Sequence, residues 1–150
     1  MTGSLVRVCS GCGAKNRTPY EHLAHLGHCG ACKATLPPMA EPIDADTVRF
    51  DEIVGASPVP VLVDFWAPWC GPCRVAGPQV KKVAQVMAGR AVVLKVNTDQ
   101  QPALAQRFQV QGIPNFLVLN RGQVVSQQAG LVDAQQMQRW LENAAASAAR

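Results

Sequence analysis

The residues best suited to chemistry are six cysteines, which fall into three Cys-x-x-Cys pairs: Cys9/Cys12, Cys29/Cys32 and Cys70/Cys73. The third pair lies in residues 69–73, Trp-Cys-Gly-Pro-Cys, where an apolar strand-like run ends and a helix-like run begins. At a helix N-terminus, free backbone N–H groups and the positive end of the helix dipole stabilise a thiolate. The pattern therefore predicts a dithiol redox centre whose first sulfur is reactive at neutral pH.

The other two pairs are separated by sixteen residues, a spacing typical of a four-cysteine zinc site. Each pair forms a tight knuckle, and two knuckles complete a tetrahedron of sulfur ligands. Four thiolates leave no open coordination position for a catalytic water. We therefore expect a structural Zn²⁺ held by four residues: Cys9, Cys12, Cys29 and Cys32.

Two alternatives for this segment stay open. Because His22, His25 and His28 lie between the two pairs, a mixed cysteine and histidine site is possible. Oxidation with loss of zinc would instead give two disulfides, one within each pair.

Length and composition predict one ordinary domain with an appendage. The chain has 150 residues, of which 48% are apolar. We expect a zinc-binding module at 1–36, which is too small to fold without its metal, a proline-rich linker at 37–42 and the main domain at 43–150. The net charge of +4 is concentrated in the module, but four zinc-bound thiolates would offset most of it. Scattered cations with one tyrosine argue against a nucleic-acid site.

The chain carries no apolar leader at its start and no run of about 20 apolar residues that could span a bilayer. We expect a soluble, unexported, cytoplasmic protein. In a reducing cytosol, paired cysteines fit metal binding or redox catalysis better than a framework of structural disulfides.

Beyond the linker, strand and helix signals alternate, which favours an α/β fold with a central mixed sheet flanked by helices. Strands are expected at 59–66, 91–97, 115–120 and 124–129, and helices at about 47–54, 102–108 and from 133 onward. The helix after the third cysteine pair is interrupted by Pro78, which should kink it. Its core-facing stripe is expected to consist of Val75, Val80, Val83, Ala84 and Met87.

Two charged residues interrupt apolar strands. Asp64 lies in a run that should be buried, directly upstream of the dithiol. It is either a hydrogen-bonded core residue or a proton acceptor whose proton affinity is raised by burial. Lys95 lies close to Asp64 if the two strands are neighbours, but it can equally point to solvent.

Several motifs together are far more specific than one cysteine pair. They are residues 63–67 (Val-Asp-Phe-Trp-Ala), 69–73, Pro78, 95–97 (Lys-Val-Asn), 112–114 (Gly-Ile-Pro), Gly122 and Gly130. On these residues the chain from about 42 to its end resembles the thioredoxin family. With the two N-terminal pairs, the whole chain resembles the zinc-containing bacterial thioredoxin 2 type. Asn115 departs from the threonine usual after the proline, which bears on substrate preference.

The resemblance implies a thioredoxin fold preceded by a zinc-ribbon-like module, and a protein-disulfide reductase. It makes Cys70 the exposed nucleophile and Cys73 the more buried resolving thiol, with Asp64 as proton acceptor. The remaining catalytic positions are Trp69, Gly71, Pro72 and Lys95. Substrate would bind at Trp69, Ile113, Pro114 and Gly130, with Pro114 preceded by a cis peptide bond.

The same resemblance implies that the protein is a monomer, that disulfide-bonded proteins are its substrates and that an NADPH-dependent thioredoxin reductase is its electron donor. No organic cofactor is expected, because the chain has no nucleotide-binding motif. Since Pro72 brings neither charge nor a hydrogen-bond donor to the thiolate, we expect a reductant rather than an oxidase. The alternatives are a partner-binding adaptor and a zinc-dependent redox switch or holdase.

Overall fold

The computed structural model describes residues 3–148. The strands are β1 (Ser4–Val8), β2 (Lys15–Pro19), β3 (Gly27–His28), β4 (Thr35–Leu36), β5 (Ile43–Asp44), β6 (Val61–Trp66), β7 (Val92–Asn97), β8 (Asn115–Asn120) and β9 (Gln123–Ala129). The helices are a 3-10 turn (Tyr20–His22), α1 (Thr47–Ala56), α2 (Gly71–Val86), α3 (Pro102–Arg107) and α4 (Ala134–Ala148). The first two residues of the predicted module at 1–36 and the last two of the predicted domain at 43–150 lie outside the described part.

Strands β5 to β9 form one mixed sheet in the order β5-β7-β6-β8-β9. The central strand β6 runs parallel to β7 and antiparallel to β8. Side chains of α1 and α3 pack with one face of β6, and those of α2 and α4 with the other. This arrangement confirms the predicted fold class. No helix in residues 3–148 is long and apolar enough to cross a membrane.

Helix α2 begins directly at the dithiol and contains Pro78, as expected. The predicted core stripe was wrong at Val75, which is 63% exposed, while Ala76 is buried. Cys73 and Ala76, which are three residues apart, are both buried and define the buried face of the helix. Val75 lies two residues after Cys73, about 200° around the helix, and therefore points to solvent.

The limits of β7, β8 and β9 agree with the predicted ones to within one residue. The strand predicted from Val59 begins at Val61, and β5 was not predicted. Strand β5 has only two residues, which are too few to show the alternation of apolar and polar side chains that predicts a strand. The helix starts were predicted correctly: Asp46 accepts from the N–H of Arg49, and Asp133 from that of Gln136.

The N-terminal segment forms two antiparallel hairpins, β1–β2 and β3–β4, each with a cysteine pair in its turn. This segment is packed against the larger domain. Tyr20 and Leu23 are buried in the same apolar cluster as Phe50 and Ile53 of α1. The Met39 N–H, within the predicted linker, donates to the Leu23 carbonyl at 2.8 Å. The two parts of the chain therefore share one core.

Shared burial predicts that Leu23→Ala destabilises the protein by about 2–5 kcal/mol, because a cavity replaces a side chain in the joint core. Leu23 is 1% exposed, whereas nearby Leu26 is 62% exposed. Leu26→Ala is thus the matched control and should change the free energy of unfolding by less than about 0.5 kcal/mol. Urea denaturation measures both. Equal effects of the two substitutions would contradict the shared core.

Candidate active site and metal centre

Cys70 and Cys73 are joined by a disulfide across the first turn of α2. Cys70 is the N-cap residue of the helix, and the Cys73 N–H donates to Cys70 Sγ at 3.2 Å. Gly71 and Pro72 fill the first two helical positions and are exposed. Proline is tolerated there because its missing N–H would have had no partner within the helix. The helix start thus aims a backbone donor at the first sulfur.

The expected difference in exposure between the two cysteines was wrong for this disulfide form. Cys70 is 3% exposed and Cys73 is 7% exposed. Cys70 Sγ lies 3.7 Å from the carbonyl oxygen of Ile113, and the Ile113 side chain packs against the pair. The loop before Pro114 therefore covers the first sulfur in this form.

Trp69 is exposed beside the disulfide, and its indole is held in place by Asp99. The Nε1–H donates to both carboxylate oxygens at 3.1 and 3.2 Å. Sequence reasoning missed Asp99. The sequence offered one signal, since Asp99 lies two residues beyond the end of β7 and Trp69 follows β6. Because β6 and β7 are parallel, they end at the same edge of the sheet.

Asp64 is buried in β6, and its Oδ1 has no hydrogen-bond partner among residues 3–148. Burial raises the pKa of Asp64 to about 7, although the charge of Lys95 lowers it. A cavity of about 170 Å³ is lined by Asp64, Cys73, Lys95 and Trp66. The carboxyl group therefore faces the same space as the second cysteine.

Lys95 is the direct neighbour of Asp64 across the parallel β6–β7 pair. On its other side, Lys95 is paired in register with Asp44 of β5. Its ammonium group lies 4.6 Å from the centre of the Trp66 ring. The sequence had left open whether Lys95 faces solvent or Asp64, and the register favours Asp64.

The loop opposite the dithiol holds the other predicted substrate-binding residues. The Ile113–Pro114 peptide bond is cis, as expected. The Gly130 N–H donates to the Pro114 carbonyl at 2.9 Å, and Gly130 has φ +100°, which favours glycine. Asn115 is buried and accepts from Gln127 Nε2 at 3.1 Å. The unusual residue at this position thus bonds to the neighbouring strand.

The four N-terminal cysteines converge, with all four Sγ atoms within 4.8 Å of one another. Cys9 Sγ lies 3.6 Å from Cys32 Sγ, and Cys12 Sγ lies 3.7 Å from Cys29 Sγ. Sulfurs bound tetrahedrally to zinc at about 2.3 Å are about 3.8 Å apart. The donor set and its spacing therefore fit one metal ion of this kind.

Hydrogen bonds around the cluster favour thiolate at some of its sulfurs. The backbone N–H of Cys32 and the side chain of Asn16 lower the pKa of Cys29 to about 6. Asn16 Nδ2 lies 3.4 Å from Cys29 Sγ, and its Oδ1 accepts from the Gly30 N–H at 2.9 Å. Sequence reasoning missed Asn16, because a lone asparagine in a strand carries no ligand pattern.

The three histidines considered as alternative ligands are exposed. His22 Nδ1 lies 2.8 Å from His25 Nδ1, so these two rings bond to each other. Within the described residues, the group of side chains that could hold a metal contains cysteines only. The geometry therefore favours the four-cysteine site over the mixed one.

Residues 41–143 match the family model described as Thioredoxin. The chain belongs to the thioredoxin family. Thioredoxin C-3 from Corynebacterium nephridii is 37% identical over 138 residues, which cover 92% of this chain and 94% of that protein. Thioredoxin 1 from Chlorobaculum tepidum is 48% identical over 89 residues, 59% of this chain and 88% of its own. Among solved structures, a mutant thioredoxin from Halobacterium salinarum has a TM-score of 0.66 at 30% identity, covering 71% of this chain and 92% of that chain.

As a thioredoxin, the protein is a thiol-disulfide oxidoreductase with thioredoxin-type disulfide reductase activity. In this family, disulfide-bonded proteins are the substrates and thioredoxin reductase restores the dithiol. The C-3 relative aligns with 92% of this chain. The alignment must therefore include much of the N-terminal module as well as the thioredoxin domain.

The raised pKa of Asp64 predicts how stability depends on pH. An unfolded aspartate ionises at its ordinary pKa of 3.8, and folded Asp64 ionises at about 7. Between these values the folded state binds more protons, so the wild type loses stability as pH rises, and the loss is complete above pH 7. Asp64→Asn should be more stable at pH 8, on the order of 4 kcal/mol, with the gain fading towards pH 4.

Urea denaturation of the oxidised protein between pH 4 and pH 8 measures this effect. Asp44→Asn is the matched control, because Asp44 is exposed at the edge strand of the same sheet. The variant at Asp64 would contradict the prediction if its stability relative to the wild type were the same at every pH.

Proposed function

We propose that this chain is a zinc-containing thioredoxin that reduces protein disulfides through Cys70 and Cys73. The observation that carries the proposal is the cysteine pair at the start of α2, with Asp64 lining the same cavity as Cys73. Asp64 is the only charged group in the predicted site that is fully buried in residues 3–148. A buried carboxyl group with a pKa of about 7 is suited to accept a proton at neutral pH.

Reduction proceeds by two thiol-disulfide exchanges. The Cys70 thiolate attacks one sulfur of the substrate disulfide, and the other sulfur leaves as a thiolate that takes a proton from solvent. Cys73 then transfers its proton to Asp64, through water that the cavity is large enough to hold. The Cys73 thiolate attacks Cys70 Sγ, so the Cys70–Cys73 disulfide forms and the second substrate thiolate leaves. Two electrons pass from the dithiol to the substrate.

Substrate is proposed to lie against Trp69 and the loop at Ile113–Pro114. Trp69 is exposed and fixed by Asp99, so it provides a rigid apolar wall. Backbone groups beside Ile113 can pair with an extended peptide as a strand would. Gly130 supports this loop through its hydrogen bond to the Pro114 carbonyl. Lys95 acts on the reaction through Asp64.

An NADPH-coupled assay with thioredoxin reductase and insulin tests the two cysteine roles. Cys70→Ser should abolish turnover, because no mixed disulfide can form. Cys73→Ser should also lack turnover but accumulate a mixed disulfide with substrate, seen by mass spectrometry and released by dithiothreitol. If Cys70→Ser retained turnover, the assignment of the nucleophile would be wrong.

The four-cysteine cluster is proposed to hold one structural Zn²⁺. When bound, zinc would supply folding energy to the two hairpins, with no open coordination position for catalysis. The proposed limits are a module at 1–36, a linker at 37–42 and the thioredoxin domain at 43–150. We also propose that the protein is a monomer and that it lies in the cytoplasm.

Metal analysis of the reduced, full-length protein should find one zinc per chain. Cys29→Ser should remove it, because Cys29 is a buried member of the cluster. The double variant Cys70→Ser/Cys73→Ser keeps the module intact and is the control, so it should retain one zinc. Loss of zinc from the control, or full retention in Cys29→Ser, would assign the metal elsewhere.

The exposure of two cluster cysteines favours a second role for the module as a redox switch. Cys12 and Cys32 are exposed, whereas Cys70 and Cys73 are buried as a disulfide. Oxidants reach exposed thiolates most easily. This role requires peroxide to release zinc at concentrations that spare the Cys70/Cys73 pair, and simultaneous oxidation of both sites would exclude it.

A further inference from the structure

A cleft of about 380 Å³ lies within the N-terminal module, away from the dithiol and beside the cysteine cluster, since Asn16 lines it and also bonds to Cys29 Sγ. One wall is the face of the β1–β2 hairpin that carries Arg7, Asn16 and Thr18. Three histidines, His22, His25 and His28, also line the cleft. Every residue that lines the cleft belongs to the segment from Arg7 to Leu36, so the module forms this site by itself.

Arg7 is the residue that points to a ligand. It is half-buried on the inner face of the hairpin, directly opposite Asn16 in the register. Its guanidinium makes no hydrogen bond or ion pair with any residue in 3–148. Guanidinium stays charged at all physiological pH values, and its five donors fit a phosphate or carboxylate group. A partly desolvated cation with unused donors therefore favours an anion.

The remaining polar groups of the cleft are also suited to an anion. Arg17 lines it and likewise has no ion-pair partner in the described part of the chain. None of the residues that line the cleft is acidic. Because His22 and His25 bond through their Nδ1 atoms, the ring that accepts there must carry its proton on Nε2 when neutral. At least one imidazole N–H donor is therefore available.

The cleft is also large enough for more than an inorganic ion. Pockets for small organic ligands begin at about 300 Å³. Leu26 and Leu36 line the same space and offer an apolar surface to the organic part of a ligand. We propose that this cleft binds the phosphate group of a small phosphate monoester, with Arg7 as the central ligand-binding residue.

Titration of the full-length zinc-loaded protein with phenyl phosphate, followed by ¹H–¹⁵N NMR, tests the proposal. The probe should give saturable shifts confined to residues lining the cleft. Arg7→Gln should weaken binding about tenfold or more, because a charged bidentate partner is lost. Lys82→Gln removes one exposed charge from α2 and is the matched control, so its affinity should equal that of the wild type.

Equal weakening by Arg7→Gln and Lys82→Gln would overturn the proposal, because binding would then depend on overall charge alone. So would shifts in the wild type that do not saturate or that lie outside the cleft. This second result does not depend on any variant and therefore holds even if Arg7→Gln fails to fold. If a twelve-nucleotide single strand bound at the cleft more tightly than phenyl phosphate, the ligand would be nucleic acid and the proposal of a small monoester would be wrong.

Discussion

The structure depends on the burial of β6 on both faces. Val61, Val63 and Phe65 fill one side of this strand, and Leu62 fills the other. Because the strand alternates, Asp64 must lie on the same side as Leu62 and hence beneath α2. The same strand that stabilises the sheet therefore buries a carboxylate next to the dithiol. The energetic cost of that burial is the origin of its raised pKa.

The position of α2 follows from the same strand. Only four residues, from Ala67 to Cys70, separate the end of β6 from the start of the helix. So short a connection fixes the helix N-terminus at the edge of the sheet, where its free N–H groups can face sulfur. The neighbouring parallel strand β7 ends at this edge too, and the residues that follow it include Asp99, which holds Trp69. The shared edge of these two parallel strands thus brings together the dithiol, Trp69 and Asp99.

The sequence predicted those features that depend on local pattern. Strand Asn115–Asn120 was predicted at its observed limits because its apolar run is continuous, and the cysteine pairs define their own chemistry by spacing. Features that depend on tertiary contacts could not be predicted. Strand β5 exists because it pairs with β7, and Leu23 is buried because the module packs on α1. Asp99 and Asn16 function through partners distant in sequence.

In the N-terminal module, cationic side chains lie within a few residues of the cysteines that would be anionic thiolates. Asn16 donates to Cys29 Sγ with its amide nitrogen, and it also lines the cleft that contains Arg7. Four thiolates with one Zn²⁺ carry a net charge of −2. The cations of the module can partly balance this charge, but Arg7 makes no ion pair with a cysteine or any other described residue. Since no described residue pairs with this half-buried arginine, its donors remain available to an external anion, as proposed for the cleft.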